Sequence, residues 1–325
     1  MKKQYDVYFY EAFEEEKKEL ENFIPQSIRA SYTWKTIQEN DDKIAPAKVI
    51  SVRTQSIIPH KWSQDLNAIL SRSTGYDHLV RYKKETQSNI KTGYLPLYCN
   101  RSVAEQALLL WMALLRRLPE QIESFKTFHR DGLTGKETEG KTLLVVGVGN
   151  IGSEIVKIGQ GLGMKVYGVD LVEKYPFVDY TTFDEGFKKA DIIVCSMNLT
   201  FENENYFNYE KLKKAKDNAL FINIARGELS YSSELLKLMK ENKLGGIGMD
   251  VFKDESKLAV SLRSGEKVDS KEVEAVKKLQ KYPNVIFTPH NSFNTQEAVI
   301  RKSEQSAEQL VHLFENGNFK WNSPD

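Results

Sequence analysis

Residues 143–152 read LLVVGVGNIG. An apolar run closes on Gly147, Gly149 and Gly152 in G-x-G-x-x-G spacing, and a helix-like stretch, NIGSEIVKIGQGLG, follows at once. Few arrangements accept that order. The first glycine permits a tight turn, the second lets backbone approach a bulky anion, and the third lets helix pack on strand. A second apolar run, KVYGVD, ends in Asp170, about twenty residues further on. Strand, glycine turn, helix, strand and acid together predict the first half of a Rossmann sheet, with a pyrophosphate at the helix N-terminus. Asp170 can accept hydrogen bonds from both hydroxyls of an adenosine ribose, and its charge repels a 2′-phosphate. Leu171, Val172 and Glu173 follow, with no arginine to reverse that sign, so NAD is expected over NADP.

Beyond this motif the alternation continues. DIIVCSM, ALFINIA, GGIGMDV and NVIFTPH read as strands, SSELLKLMKEN as a helix, and TQEAVIRKSEQSAEQLVHLFENG as a long amphipathic helix that could cross back to the N-terminal unit. Apolar strands alternating with helices predict a parallel, doubly wound α/β sheet. Upstream, DVYFY, AKVISVR and AILSRST are strand-like and belong to a smaller βα unit. SVAEQALLLWMALLRRL (102–118) is apolar nearly all round, which predicts burial between domains or at a homodimer contact. Residues 129–141 are polar and read as a loop or linker.

Ligands of an open α/β sheet bind beyond the carboxyl ends of its strands. At those ends stand Gly147, Asp170, Met197–Asn198, Arg226, Asp250 and His290. A converging polar set is better read as a constructed pocket than as chance. Reducing a keto acid needs a cation for the carboxylate, a proton donor for the oxygen and an anion to support that donor. Arg226 offers a planar fork for the first, His290 titrates in the right range for the second, and Glu255, close after GIGMDV, fits the third.

The bulk numbers exclude other classes. With 46 basic and 45 acidic side chains the formal net charge is +1, so no field favours nucleic acid or an anionic membrane. The longest apolar stretch is too short to span a bilayer, and the N-terminus shows no signal-peptide pattern. Two cysteines, Cys99 and Cys195, lie far apart, which predicts a reduced, cytoplasmic protein without a metal site.

The segments GVGNIG, NIARGE, GMDVFKDE and VIFTPHNS, with SRSTGYDHL and YLPLYCNRSVAE upstream, resemble the D-isomer-specific 2-hydroxyacid dehydrogenases over essentially the whole chain. The opening VYFYEAFEEE and the long segment between Glu255 and His290 resemble the D-lactate dehydrogenase group most. The resemblance implies a Rossmann NAD-binding domain over 99–292 and a smaller, split, flavodoxin-like α/β substrate domain over 1–98 and 293–325. It implies an Arg226–Glu255–His290 catalytic set, with the backbone of Thr74 and Gly75 holding the substrate carboxylate and Tyr98 nearby. Around the cofactor it implies Asn150 and Ile151 at the pyrophosphate and Asp170 at the ribose. Met197 and Asn198 would lie beside the adenosine, and Asn203, Ile224, Ala225, Arg226 and Asp250 around the nicotinamide half. The expected partners are a small 2-keto or 2-hydroxy acid and a second copy of the chain. An NAD(H)-sensing corepressor of the same fold is the alternative. Some positions depart from the family: Asn198 stands for a common proline, Cys99–Asn100 for Ser-Pro, and Ser256 for a proline after the glutamate. Asn294 stands where lactate enzymes tend to carry tyrosine, near the substrate side chain, and leaves room for a larger or more polar keto acid.

Overall fold

A computed structural model describes residues 5–324. The chain divides into two compact units, one running up to Cys99 and resuming at Asn294, the other spanning Asn100–Phe293. Each break falls one residue beyond the position expected from sequence.

The discontinuous unit is built on five parallel strands, β1 (Tyr5–Phe9), β2 (Ala30–Tyr32), β3 (Ala47–Val52), β4 (Ala68–Ser71) and β5 (Lys91–Gly93), in the order β2-β1-β3-β4-β5. That is the flavodoxin-like winding, with its reversal between β1 and β3. β3 and β4 are buried on both faces apart from Lys48, as a sheet covered by helices on either side requires. Trp62, Tyr10, Ile50, Ile69 and Leu79 form the core of one layer. The helix Gln296–Asn316 returns to this unit, as its amphipathic pattern suggests: it packs on the helix Glu14–Phe23, and Gln309 Nε2 donates to the Tyr94 and Trp321 carbonyls at 2.8 and 3.0 Å. β2 and β5 have only three residues each and little apolar patterning, so sequence does not announce them.

The continuous unit carries seven parallel strands: β6 (Thr142–Val146), β7 (Lys165–Val169), β8 (Asp179–Tyr180), β9 (Ile192–Cys195), β10 (Ala219–Asn223), β11 (Leu244–Met249) and β12 (Val285–Phe287). Their order is β12-β11-β10-β9-β6-β7-β8. This is the doubly wound Rossmann order, reversing between β6 and β9. β9 and β10 are buried at every position, and their core extends through Phe187, Phe207, Phe221, Leu235 and Val273. The apolar helix predicted over 102–118 runs Asn100–Leu115 and packs one face on the helix Asn150–Gly161 and on β10 and β11. It stops where Arg117 adopts φ 53°, and a second helix, Leu118–Phe125, starts with Pro119 in its first turn. Its outer face and this second helix leave Leu109, Leu118, Ile122, Phe125 and Phe128 exposed, Phe125 by 75 %. Two helices between β11 and β12, Glu255–Ser264 and Lys271–Leu279, fill the long segment noted in sequence. No helix among the described residues is long and apolar enough to cross a membrane.

Candidate active site

The glycine turn shows why each of its three glycines is needed. Gly147 has φ +93°, and a Cβ there would lie 2.6 Å from the Met197 nitrogen. A Cβ on Gly152 would lie 2.1 Å from the Gly147 carbonyl oxygen. Gly149 differs, because a Cβ there meets no protein atom within 4 Å. Its open side faces outward while its backbone caps the helix Asn150–Gly161, whose first turn includes Ile151. That is the cradle a pyrophosphate requires, with N–H groups and dipole directed at it. Asp170 is exposed at the end of β7. Its Oδ2 accepts the Val148 N–H at 2.6 Å and its Oδ1 the Val172 N–H at 3.2 Å, so the acid is fixed to the turn. The Tyr175 hydroxyl donates to Asn150 Oδ1 at 3.3 Å across the same turn. Met197 and Asn198 follow β9. Asn203 shapes that loop: its Nδ2 donates to the Asn198 carbonyl at 2.8 Å and its Oδ1 accepts the Thr200 N–H at 2.8 Å. These residues fit a dinucleotide, with Asp170 for the ribose and the glycine turn for the phosphates.

The ends of β10, β11 and β12 lie side by side, since Asn223 pairs with Met249 and Met249 with Phe287. Arg226 lies three residues past Asn223, Asp250 one past Met249 and His290 three past Phe287. Adjacent strands are about 4.8 Å apart, so one carboxyl edge carries all three. The half-buried Arg226 donates from Nη1 to the Ala225 carbonyl at 2.8 Å. Asn223, fully buried, builds the turn before it: its Oδ1 accepts the Ala225 N–H at 3.0 Å, and its Nδ2 donates to the Arg226 carbonyl at 2.9 Å and to Ser230 Oγ at 2.8 Å. Ile224, in that turn, is buried, and Ala225 is half-buried. Gly227 is glycine because the chain passes close by: a Cβ there would lie 1.9 Å from the Phe252 carbonyl carbon.

His290 and Glu255 are in direct contact. The imidazole Nδ1 lies 2.9 and 3.0 Å from the two carboxylate oxygens, with the side chains 20 % and 28 % exposed. Both residues sit beside unusual backbone. His290 has φ 51°, and Asp254, immediately before Glu255, has φ 58°. The buried carboxylate of Asp250 holds the histidine turn, accepting the Asn291 N–H at 3.0 Å, the Ser292 N–H at 2.9 Å and the Thr288 hydroxyl. Gln106 Nε2 donates to Thr288 Oγ1 at 3.2 Å. Sequence reading finds Asp250 but assigns it to the cofactor; its oxygens here serve the turn. Thr288 and Gln106 escape it, because nothing local marks partners 38 and 182 residues away; Asn223, whose partners lie within seven residues, reads only as the last polar residue of an apolar strand.

In the discontinuous unit, Thr74 and Gly75 follow β4. The Thr74 hydroxyl donates to the Leu95 carbonyl at 3.1 Å and lies 3.2 Å from Cys99 Sγ, and the Gly75 carbonyl accepts from Ser73 Oγ at 2.7 Å. Tyr98 is buried, and burial pushes its phenol well above the usual range, so it stays a neutral hydroxyl. Deeper in this unit lies a buried ion triad. Glu16 contacts Arg72 Nε at 2.7 Å and Lys302 Nζ at 3.0 Å, while Arg72 also donates to Ser51 Oγ and the Tyr10 carbonyl. No group of three or more metal-ligating side chains occurs among the described residues.

The Rossmann order and its glycine turn make the continuous unit the cofactor half of an NAD-dependent dehydrogenase. Its residues 108–292 match the family profile described as D-isomer specific 2-hydroxyacid dehydrogenase, NAD binding domain, and the chain belongs to that family. It is 31 % identical over 258 residues to an aromatic 2-oxoacid reductase of Clostridium sporogenes, covering 78 % of this chain and 77 % of the relative. It is 29 % identical over 254 residues to D-lactate dehydrogenase of Escherichia coli, covering 75 % of each. The crystal structure of the Aquifex aeolicus D-lactate dehydrogenase with NAD and lactic acid superposes with a TM-score of 0.83 at 26 % identity, covering 98 % of this chain and all of that one.

Proposed function

We propose that this enzyme reduces a short 2-oxo acid to the D-2-hydroxy acid, reversibly, with Arg226, His290 and Glu255 as its working groups. The contact between His290 and Glu255 carries the reading. With Nδ1 on the carboxylate, the imidazole turns Nε2 toward the substrate oxygen as proton donor, and Glu255 holds the ring in that orientation. Arg226 presents its fork to the substrate carboxylate and polarises the neighbouring carbonyl. Bound NADH supplies the hydride. We assign Thr74, Gly75 and Tyr98 to the substrate as well, the first two through backbone and the last through its neutral hydroxyl. Met197, Asn198, Asn203, Ile224 and Ala225 complete the cofactor surroundings, and Asp250 acts there through the turn it holds. We further assign the protein to a reducing, cytoplasmic setting, which two buried and widely spaced cysteines suit.

Changing His290 to Ala should lower kcat by about 100- to 10,000-fold with pyruvate-like acids while NADH binding stays near wild type. Unchanged turnover would remove His290 from the reaction. A wild-type protein that binds NADH yet oxidises it with no 2-oxo acid would favour the dinucleotide-sensing role instead. We further propose a homodimer closed over Leu109, Leu118, Ile122, Phe125 and Phe128, since large apolar side chains left exposed on two successive helices and just beyond them suit an interface. Light scattering should give twice the chain mass, and Phe125→Asp should shift it toward one.

A further inference from the structure

Three loops at the carboxyl edge of the Rossmann sheet meet in one polar cluster that the proposed reaction leaves unused. Glu204 lies in the loop after β9, next to Asn203. Tyr231 lies past β10, five residues beyond Arg226, and Lys253 past β11, two residues before Glu255. Lys253 Nζ donates to Glu204 Oε1 at 2.8 Å and to the Tyr231 hydroxyl, and stands 3.8 Å from the centre of the Tyr231 ring. The Tyr231 hydroxyl donates to the same Glu204 oxygen at 2.6 Å. Burial alone would lower the Lys253 amine, but Glu204 and Tyr231 outweigh it and hold it above its usual value. Burial raises the Tyr231 phenol, so the cluster is one cation, one anion and one neutral hydroxyl. Its charges cancel within it, which suits a cross-link between loops rather than a ligand site.

The backbone around the cluster is already close. A Cβ on Gly227 would lie 2.2 Å from the Lys253 nitrogen, so the Arg226 turn rests on the backbone of Lys253. The same turn is tied to the β9 loop, where the Asn205 N–H donates to the Glu228 carbonyl at 2.7 Å and the Phe207 N–H to the Leu229 carbonyl at 2.9 Å. Asp254 comes next after Lys253 and has φ 58°, a conformation that persists in a non-glycine residue only where its surroundings hold it. Ser270 Oγ supplies one hold, donating to Asp254 Oδ2 at 2.6 Å, and the Lys253 side chain supplies another. Directly after these two anchors comes Glu255, the first residue of its helix and the partner of His290.

We propose that Lys253 is a positioning residue: by tying its segment to Tyr231 and Glu204 it fixes the spacing between the Glu255 carboxylate and the Arg226 turn. The inference rests on the proposed 2-oxo acid reduction, in which Glu255 orients His290 and Arg226 holds the substrate carboxylate. A misplacement of about 1 Å that starts away from the chemistry can cost about 100-fold in rate, so a link of modest strength can matter greatly to turnover. With side chains 26 % and 49 % exposed, the Lys253–Glu204 pair adds little to overall stability. Its effect is therefore expected in kcat and not in Tm.

The test is steady-state NADH oxidation with pyruvate and phenylpyruvate, with Tm and NADH binding measured alongside. Lys253→Met should lower kcat about tenfold or more, with NADH binding near wild type. Its Tm should move by less than about 2 °C. Lys253→Arg keeps a cation for Glu204 and Tyr231 and should recover most of kcat. In a Glu255→Gln background, Lys253→Met should cost less than about twofold more, because the group it positions is already gone. Glu204→Gln weakens the same link from the far side and should lower kcat about threefold; where Lys253→Met does not fold, this variant decides alone. Unchanged kcat overturns the proposal, whatever happens to Tm. A full tenfold loss that persists in the Glu255→Gln background overturns it too, since Lys253 would then act through another group. A wild type that oxidises NADH with neither acid removes the parent reading. A wild type that does, matched by an equally fast Lys253→Met, removes this one alone.

Discussion

Both sheets are parallel and both present their polar residues at strand carboxyl ends, yet they hold those residues by different physics. In the Rossmann unit the edge is made by close backbone approach and by side chains hydrogen-bonded to the main chain. Gly147, Gly152 and Gly227 each occupy a place where a Cβ would strike backbone, and Asn223 and Asp250 tie their turns with hydrogen bonds to main-chain atoms. In the flavodoxin-like unit the interior behind the edge holds formal charge, with Arg72 and Glu16 almost wholly buried and Lys302 beside them. Backbone contacts tolerate no added atom, whereas a buried triad tolerates no lost charge. The two units should therefore fail in different ways.

The largest expected effect is in the triad. Glu16→Gln keeps the shape and removes the counter-charge of two buried cations, which should cost about 3–5 kcal/mol of stability in chemical denaturation. A loss below about 1 kcal/mol would show that water or another carboxylate compensates the pair. The same group sets an acid limit. Burial alone would raise the Glu16 carboxyl, but the charges of Arg72, Lys302 and Arg53 outweigh it and bring it from 4.5 to about 2. A depressed carboxyl binds fewer protons folded than unfolded, so its contribution is complete above pH 4.5 and fades as pH falls toward 2. Wild type should lose stability through that window, and Glu16→Gln should flatten that part of the profile.

Two glycines of one motif sharpen the contrast within the Rossmann unit. Gly152→Ala puts a methyl 2.1 Å from the Gly147 oxygen and should cost about 1–3 kcal/mol of stability through overpacking, with a marked fall in Tm. Gly149→Ala meets no protein atom and should leave Tm near wild type while weakening NADH binding about tenfold or more, because the methyl occupies the pyrophosphate cradle. Identical thermal and binding behaviour in the two variants would mean that the open side of Gly149 is not where the phosphates sit.

The same division explains what the chain discloses before it folds. The glycine turn, Asp170 and the strand-end trio are legible because the Rossmann edge is written in local order: an apolar run, then a polar residue within three positions of its end. Even there the reason for Gly227 is hidden, since its constraint comes from Phe252 in the next strand's loop and not from the turn it begins. The flavodoxin-like unit is harder to read. Glu16 lies in a Glu/Lys-rich helix that reads as solvated, and only folding brings it to Arg72 and Lys302, 56 and 286 positions away in the sequence. Arg53 follows an ordinary strand, and nothing local marks Glu11, 42 residues upstream, as the acceptor of its N–H.

The smallest expected effect concerns Asp170, where two roles overlap. Its carboxylate accepts the Val148 N–H and so stiffens the glycine turn, and the role we propose for it is to repel a 2′-phosphate. Asp170→Ala removes both, whereas Asp170→Asn keeps an acceptor for Val148 and removes only the charge. If the charge sets cofactor choice, both variants should narrow the NADH-over-NADPH preference, by about 10- to 100-fold in kcat/KM. If turn stiffness matters as well, only Asp170→Ala should raise KM for NADH, by several-fold. Equal NADH affinity in the two variants would mean that the Val148 bond adds nothing to binding and that the helix N-terminus and glycine cradle are rigid without it.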